Sequence, residues 1–136
     1  MLFTYQRYRA INLSDSVYDA HMDAFDRGIE LFNSGRYFEA HEAFEEIWLA
    51  SEGELKSLCQ GLVQACAGLV KHQRNQPDPA RTLLAKGLLR LEAASPSCRT
   101  DINIVRLVRD LNTVVRALQT RVSFDPPVIE RLPGLY

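Results

Sequence analysis

The chain has 136 residues, of which 46% are hydrophobic and 24% charged, as in one soluble domain that buries a core without disulfides or a metal. Its net charge of −1 provides no overall electrostatic attraction to nucleic acid. The longest uncharged run, residues 57–70, is too short to cross a bilayer, so we expect no membrane span.

The three cysteines, Cys59, Cys66 and Cys98, do not form an evident disulfide framework. Cys59 and Cys66 are seven positions apart in one predicted helix, about 10 Å along its axis, which is too far for a bond between them. The first ten residues include arginines and lack the apolar run of a signal peptide. These features predict a reduced, cytoplasmic protein.

The N-terminal half is predicted to begin with an extended arm over residues 1–13, which lack helical periodicity. A first helix follows with Ser14 or Ser16 as its N-cap, and it ends before Gly35, where a positive φ costs little. A second helix is predicted over residues 37–50, and the sequence SEGE ends it.

A third helix is predicted over residues 54–74, and its middle carries no charge. The sequence NQPDPA then ends one helix and starts a fourth, with Asp78 as the predicted N-cap and Pro79 as the first helical residue. This fourth helix is expected to run to about Ala94.

A fifth helix is predicted after Thr100 or Asp101, and residues 123–136, which contain three prolines, are expected to form an irregular tail over the bundle. The predicted buried stripe of this helix consists of Val105, Val108, Leu111, Val115, Leu118 and Val122. The chain as a whole therefore predicts an all-α, single-domain bundle of about five helices over residues 14–122, with the third helix at its centre.

A weak internal repeat relates the second and fourth helices. Ala40 and Phe44 follow one predicted turn, and Ala80 and Leu84 follow another at the same spacing. This pattern is typical of tetratricopeptide-like helix-turn-helix units, but two units are too few for a solenoid. We therefore expect two helix hairpins in a closed bundle.

The second helix places two ionisable side chains within its predicted apolar arc. On a helical wheel, His41 and Glu45 fall inside this arc, whereas Glu39 and Glu46 fall opposite and Glu42 lies just outside it. The arc, about 200° wide, contains Tyr37, Phe38, Ala40, Phe44, Ile47, Trp48 and Leu49. A buried Glu45 predicts that Glu45→Ala costs about 2–4 kcal/mol of stability.

The third helix has two glutamines, Gln60 and Gln64, four positions apart on one face. Its small residues, among them Gly61 and Gly68, predict the close approach of another helix. Buried amides need hydrogen-bond partners, so we expect a polar cluster inside the bundle. Its predicted members are His41, Glu45, Gln64, Gln60 and Glu42, with Trp48 beside them as a core residue.

Three chemical roles remain open for this cluster. It can fix helix register as a buried pair, or it can form a ligand or metal pocket. The sequence HEAFE resembles the first part of a zincin helix, but position 45 is Glu, so His41, Glu45 and His72 are only weak metal candidates. Cys66 with His41 as its base is a further possibility, although a buried cysteine in such a helix usually packs. No cofactor and no catalytic residue is predicted.

The arginines Arg106, Arg109 and Arg116 lie on one side of the predicted fifth helix. They are typical of a solvated face, and the alternative is a surface that binds an acidic partner or nucleic acid.

Two stretches, FNSGRYFEAHEAFEEIW and QGLVQACAGLVKH, followed by ARTLL, resemble a bacterial and archaeal family, domain of unknown function 309, over roughly residues 25–92. The motif positions are Asn33, Gly35, Glu39, His41, Glu42, Glu45, Trp48, Gly61 and Gln64. The chain departs from the family in the turn before the fourth helix, where it reads NQPDPA. The resemblance implies a helical bundle around one central helix and supplies no activity.

Two functions fit these observations. The first is a non-enzymatic binding or scaffold module that uses a groove between the helix hairpins to bind a protein or small ligand. The second is a small metal-dependent or acid–base enzyme built on His41, Glu45, Glu42 and Gln64. The oligomeric state is open.

Overall fold

A computed structural model describes residues 15–94 and 102–132, with side chains described from residue 24 onward. The described part contains five α-helices and no strand beyond one isolated bridge, so the predicted all-α bundle is confirmed. The helices are α1 (Asp15–Asn33), α2 (Tyr37–Ala50), α3 (Gly53–Gln73), α4 (Pro77–Glu92) and α5 (Ile104–Thr120). The expected N-terminal arm, the Ser14 cap, Cys98, Thr100 and Asp101 lie outside the described residues.

Each helix packs against the next one in the chain, and the most extensive contact joins α3 to α4. The helix α3 therefore lies between α2 and α4. The largest fully buried side chains are Phe25, Phe32, Phe44, Ile47, Leu58, Leu62, Leu69, Leu84, Leu91 and Ile102. Within the described part, no helix is both long and apolar enough to span a membrane.

The two turns that join α1 to α2 and α3 to α4 have the same hydrogen-bond geometry. In the first, the N–H of Arg36 donates to the carbonyl of Leu31 at 2.9 Å, and Gly35 has a φ of 78°. Forty residues later, the N–H of Gln76 donates to the carbonyl of Lys71 at 2.9 Å. This bond closes a Schellman-type helix end in both turns.

The repeat extends into the residues around each turn. In the second turn, Asn75 occupies the position that Gly35 has in the first, and its φ is 58°. Asparagine is among the few residues other than glycine that tolerate this left-handed region. Ala40 and Ala80 are fully buried at equivalent positions, as are Phe44 and Leu84. The likeness to tetratricopeptide units stays a prediction.

Glycines allow α3 and α4 to pack with their backbones close together. A Cβ on Gly87 would lie 2.8 Å from the carbonyl oxygen of Gly61 and 3.0 Å from the amide nitrogen of Ala65. A Cβ on Gly68 would lie 3.0 Å from the carbonyl oxygen of Ala80. The predicted close approach at Gly61 and Gly68 is therefore observed.

The helix α4 begins two residues before the predicted position. Pro77 already fits the first turn, so Gln76 is the N-cap residue and makes no side-chain capping bond. Asp78 is consequently inside the helix, where its carboxylate pairs with Arg81. The prediction of Asp78 as N-cap is wrong.

The helix α5 is rotated relative to the predicted stripe. The fully buried positions are Ile104, Leu107, Leu111, Val114 and Ala117. Val105 and Val122 are exposed, so their predicted burial is wrong, whereas Val108, Val115 and Leu118 are partly buried against the core. The predicted stripe omitted Ile104 and Leu107, because apolar residues occur on more than one side of this helix.

The C-terminal segment, residues 122–132, has no regular secondary structure and is tied to the bundle by polar contacts. The side-chain amide of Asn33 donates to the carbonyl of Ile129 at 2.9 Å and accepts from its N–H at 2.8 Å. Ile129 itself is buried in the core. Asn33 therefore holds the tail against the end of α1.

Glu130 fixes the same tail to the start of α5. Its carboxylate accepts from the side-chain amide of Asn103 at 3.0 Å and from Arg106 at 2.6 Å. These two hydrogen bonds, from Asn103 first and then Arg106, lower the pKa of Glu130. Asn103 is also the N-cap of α5, because its Oδ1 accepts from the N–H of Arg106 at 3.0 Å. The helix therefore begins later than predicted, and the expected cap at Thr100 or Asp101 is wrong.

Candidate functional site

The helix α2 exposes part of the arc that its sequence predicts to be buried. Phe38 is 52% exposed and Leu49 is 65% exposed. The helices α1 and α3 cover only one side of α2, which leaves this flank open in the described part of the chain. The predicted arc was therefore too wide.

His41 and Glu45 lie at the edge of this open flank. The His41 side chain is 26% exposed and that of Glu45 is 43% exposed, close to the 53% of Glu46. The His41 Nε2 and a Glu45 carboxylate oxygen are 3.8 Å apart, which is longer than a hydrogen bond. The expectation of a buried Glu45 is wrong, because it lies beside the uncovered flank of α2.

The His41 ring is held by an aromatic neighbour and keeps one ring nitrogen without a partner. It stacks on Phe38 with 6.3 Å between ring centroids and 19° between ring planes. Its Nδ1 is buried and makes no hydrogen bond. The imidazole therefore has an unused hydrogen-bonding position.

Trp48 and Gln64 each also have one buried polar atom that lacks a hydrogen-bond partner. The indole Nε1 of Trp48 and the Oε1 of Gln64 make no hydrogen bond. Leaving a buried donor or acceptor unpaired costs about 1–3 kcal/mol. The predicted hydrogen bonds from Gln64 to His41 and Glu45 are not present, so the three unpaired atoms await other partners.

The side of α3 that carries Gln64 remains half-exposed along its length. At about 100° per residue, these half-exposed positions share one face, whereas the buried positions cover the rest. The face consists of Lys56, Gln60, Val63, Gln64, Ala67 and Lys71. We call this half-exposed face of α3, together with the edges of the helices beside it, the central groove.

The neighbouring helices α2 and α4 form the walls of the central groove. The Lys56 ammonium lies 5.1 Å from the centroid of the Trp48 ring on α2. The next residue, Ser57, accepts a 3.4 Å hydrogen bond from Arg90 on α4. Two successive residues of α3 thus contact opposite walls, which places the groove between α2 and α4.

Two other predicted site residues lie away from the central groove. Glu42 lines a separate depression of about 650 Å³ between α1 and α2, together with Arg27, Glu39 and Glu46. His72, near the end of α3, contacts Phe124 of the tail with 4.9 Å between ring centroids. The four residues proposed for an enzyme therefore do not converge on one point.

Neither a metal cluster nor a reactive thiol is present at this site. Within the described ranges, no three His, Cys, Asp or Glu side chains are placed to hold a metal ion. Cys66 is fully buried, and burial raises the pKa of its thiol far above the usual range. The thiol is therefore neutral and inaccessible, which argues against Cys66 as a nucleophile.

The residues that line the central groove coincide with a family match. Residues 25–83 match the family model of a domain of unknown function, DUF309. The resemblance to this family is confirmed. The matched segment contains the whole of α2 and α3, and hence the floor of the groove and one of its walls.

A similar protein is an uncharacterized protein of Aquifex aeolicus (strain VF5). The two are 28% identical over 100 residues, which are 73% of this chain and 29% of the relative. The chain therefore spans less than a third of the length of that protein.

The sequence did not identify the cationic residues of the groove. Lys56 lies four residues before Gln60 and on the same helical face, so the wheel of α3 contained a usable signal. Arg90 had no such signal, because its contact with Ser57 joins residues 33 positions apart.

Proposed function

We propose that this protein is a non-enzymatic binding module whose ligand occupies the central groove. The observation that carries the proposal is the set of unpaired polar atoms on His41, Trp48 and Gln64. Such atoms lower stability, so each calls for an explanation, and a role in binding is one that accounts for all three together. The exposed Phe38 next to His41 adds apolar surface for a ligand.

The chemistry of these atoms indicates what the ligand offers. The Trp48 indole is a donor only, and the Gln64 Oε1 is an acceptor. A ligand that carries both an acceptor and a donor, such as a peptide group or carboxamide, has the chemistry to pair with these atoms. Asn33 makes this paired interaction with Ile129 elsewhere in the chain.

An acid–base enzyme is the second candidate, and the His41–Glu45 pair at 3.8 Å is the observation that favours it. Such an enzyme needs a base in hydrogen-bond reach of a reacting group. The position of Glu42 on the other side of α2, and the half-exposed pair itself, support binding over catalysis.

The binding proposal can be tested with Trp48 as a reporter, since it is the one tryptophan in the sequence. We expect the indole N–H resonance to shift when the full chain is screened by NMR against small carboxamides and short peptides. The same screen on Gln64→Met should lose these shifts, whereas Gln73→Met, outside the groove, should retain them. Hits that never move the indole resonance would contradict the proposal.

A further inference from the structure

The central groove is lined by cations that lack acidic partners. Lys56, Lys71 and Arg90 make no ion pair among the residues that the structure describes. Arginines elsewhere in the described part do pair with carboxylates, including Arg27, Arg36, Arg81, Arg106 and Arg131. The groove cations are therefore available to a ligand.

The acidic residues of α2 do not neutralise this surface. Glu39, Glu42 and Glu46 line the depression on the α1 side of the helix. Glu45 is the one glutamate of α2 at the edge of the groove, and its carboxylate is beside His41. The helix α2 therefore contributes one carboxylate to the edge of the groove, against the three cations that α3 and α4 contribute.

Two of the groove cations are held in place before a ligand arrives. Lys56 lies over the Trp48 ring at 5.1 Å, and Arg90 donates to Ser57 at 3.4 Å. Ordering a long side chain on binding costs conformational entropy, and these contacts reduce that cost.

The spacing of the cations sets the length of the ligand. Lys56 and Lys71 are fifteen residues apart on one face of α3, or about 22 Å at 1.5 Å per residue. An extended chain rises about 3.3 Å per residue, so about seven residues are needed to reach both ends. A small anion would contact only one end of the groove.

We infer that the central groove binds an extended acidic segment of a partner protein, about seven residues long, with carboxylates at both ends and a peptide group over Trp48 and Gln64. This inference rests on the proposed binding function and specifies its ligand. Carboxylates reach Lys56 and Arg90 at one end and Lys71 at the other. The peptide group between them accepts from the Trp48 indole and donates to the Gln64 Oε1.

A random dodecapeptide phage library selected on the immobilised full chain tests this inference. The selection includes counter-selection on Gln64→Met, so that only groove binders are enriched. We expect enriched sequences with Asp or Glu about six positions apart. Neutral or basic enriched sequences would overturn the acidic ligand and leave the groove as a binding site, whereas no groove-dependent enrichment would overturn both proposals.

Charge variants then test the register of the bound segment. With the best synthetic peptide, Lys71→Glu should weaken binding at least about tenfold, and added salt should weaken binding further. The matched control is Lys86→Glu on the exposed side of α4, which should change the Kd less than about twofold. Equal effects of the two variants would contradict the placement of the peptide along α3.

A single-stranded oligonucleotide competitor distinguishes a peptide site from a general anion surface. We expect it not to displace the peptide at equal charge concentration. Displacement of the peptide, together with a change in Trp48 fluorescence larger than the peptide itself produces, would overturn the assignment to a protein segment.

Discussion

Asn33 shows how one side chain can take the place of a strand partner. Its carboxamide both donates to and accepts from Ile129, as a neighbouring peptide group would. The family motif includes Asn33, and the sequence indicated only a role in the turn. The tail contact joins residues 96 positions apart, which no local pattern encodes.

Removal of this side chain should loosen the tail. Asn33→Ala leaves two backbone groups of Ile129 without partners, so we expect a loss of about 1–3 kcal/mol in the free energy of unfolding, measured by urea denaturation. Ser34→Ala is the neighbouring control and should cost less than about 0.5 kcal/mol, since Ser34 is exposed. Equal effects would show that the tail contact contributes nothing.

Glu45 tests the limits of the helical wheel. At 43% exposure and without a hydrogen bond to His41, its loss should cost less than about 0.5 kcal/mol, rather than the 2–4 kcal/mol expected for a buried carboxylate. Denaturation of Glu45→Ala beside Glu46→Ala checks this. A cost above about 2 kcal/mol for Glu45→Ala alone would instead support the prediction that Glu45 is part of a buried polar cluster.

The difference between the predicted and the observed burial of Glu45 arises from the packing of side chains. A wheel gives the direction of Glu45 but not the extent to which neighbouring helices cover that direction. His41 was expected to point inward and is mostly covered, whereas Glu45 and Phe38 lie just beyond the cover. Burial at the edge of an arc therefore could not be predicted from one helix.

The elements themselves were largely predictable. The bounds of α2, Tyr37–Ala50, agree with those predicted, because a glycine turn precedes it and SEGE follows it. The buried face of α5 could not be predicted, because valines and leucines occur on more than one side of that helix. Contacts with α4 and with the tail, which are distant in the sequence, select the side that is buried.

The close contact between α3 and α4 predicts that alanine substitutions at two of its glycines, Gly87 and Gly61, differ in their cost to stability. A Cβ at Gly87 meets three backbone atoms of α3, the nearest at 2.8 Å, so Gly87→Ala should cost about 1–3 kcal/mol. At Gly61 the two nearest atoms belong to side chains, both at 3.1 Å, and these can adjust. Gly61→Ala should therefore cost less, and thermal denaturation of both variants gives the order. The reverse order would show that the helices are farther apart.

At the scale of the molecule, the tail network makes stability depend on pH. The pKa of Glu130 is lowered in the folded state by hydrogen bonds from Asn103 and Arg106. Its contribution is therefore fully present above the ordinary glutamate pKa and is lost as the pH falls through the lowered one. Glu130→Gln should lose stability at neutral pH and differ least from the parent chain in acid.

Urea denaturation at several pH values measures this difference. Glu92→Gln, at the exposed end of α4, serves as the control and should show no such convergence with the parent chain. A constant difference between Glu130→Gln and the parent chain at every pH would mean that the carboxylate charge is not involved.

The fold class of the whole molecule could be predicted from the sequence, but the position of the central groove could not. Periodicity and turn chemistry predicted an all-α bundle with α3 between its neighbours. The central groove depends on how three helices meet, and its cation Arg90 comes from outside both motif stretches that carried the family resemblance. The groove therefore required the tertiary structure.

The most direct test of the central groove as a binding site is the stability of Gln64→Met. Methionine has a similar volume and removes the unpaired Oε1, so a residue kept for ligand binding should be dispensable for folding. In urea denaturation without ligand, we predict a free energy of unfolding that is unchanged or higher by about 0.5–2 kcal/mol. A loss of more than about 1 kcal/mol would show that Gln64 serves the fold, and would contradict the account.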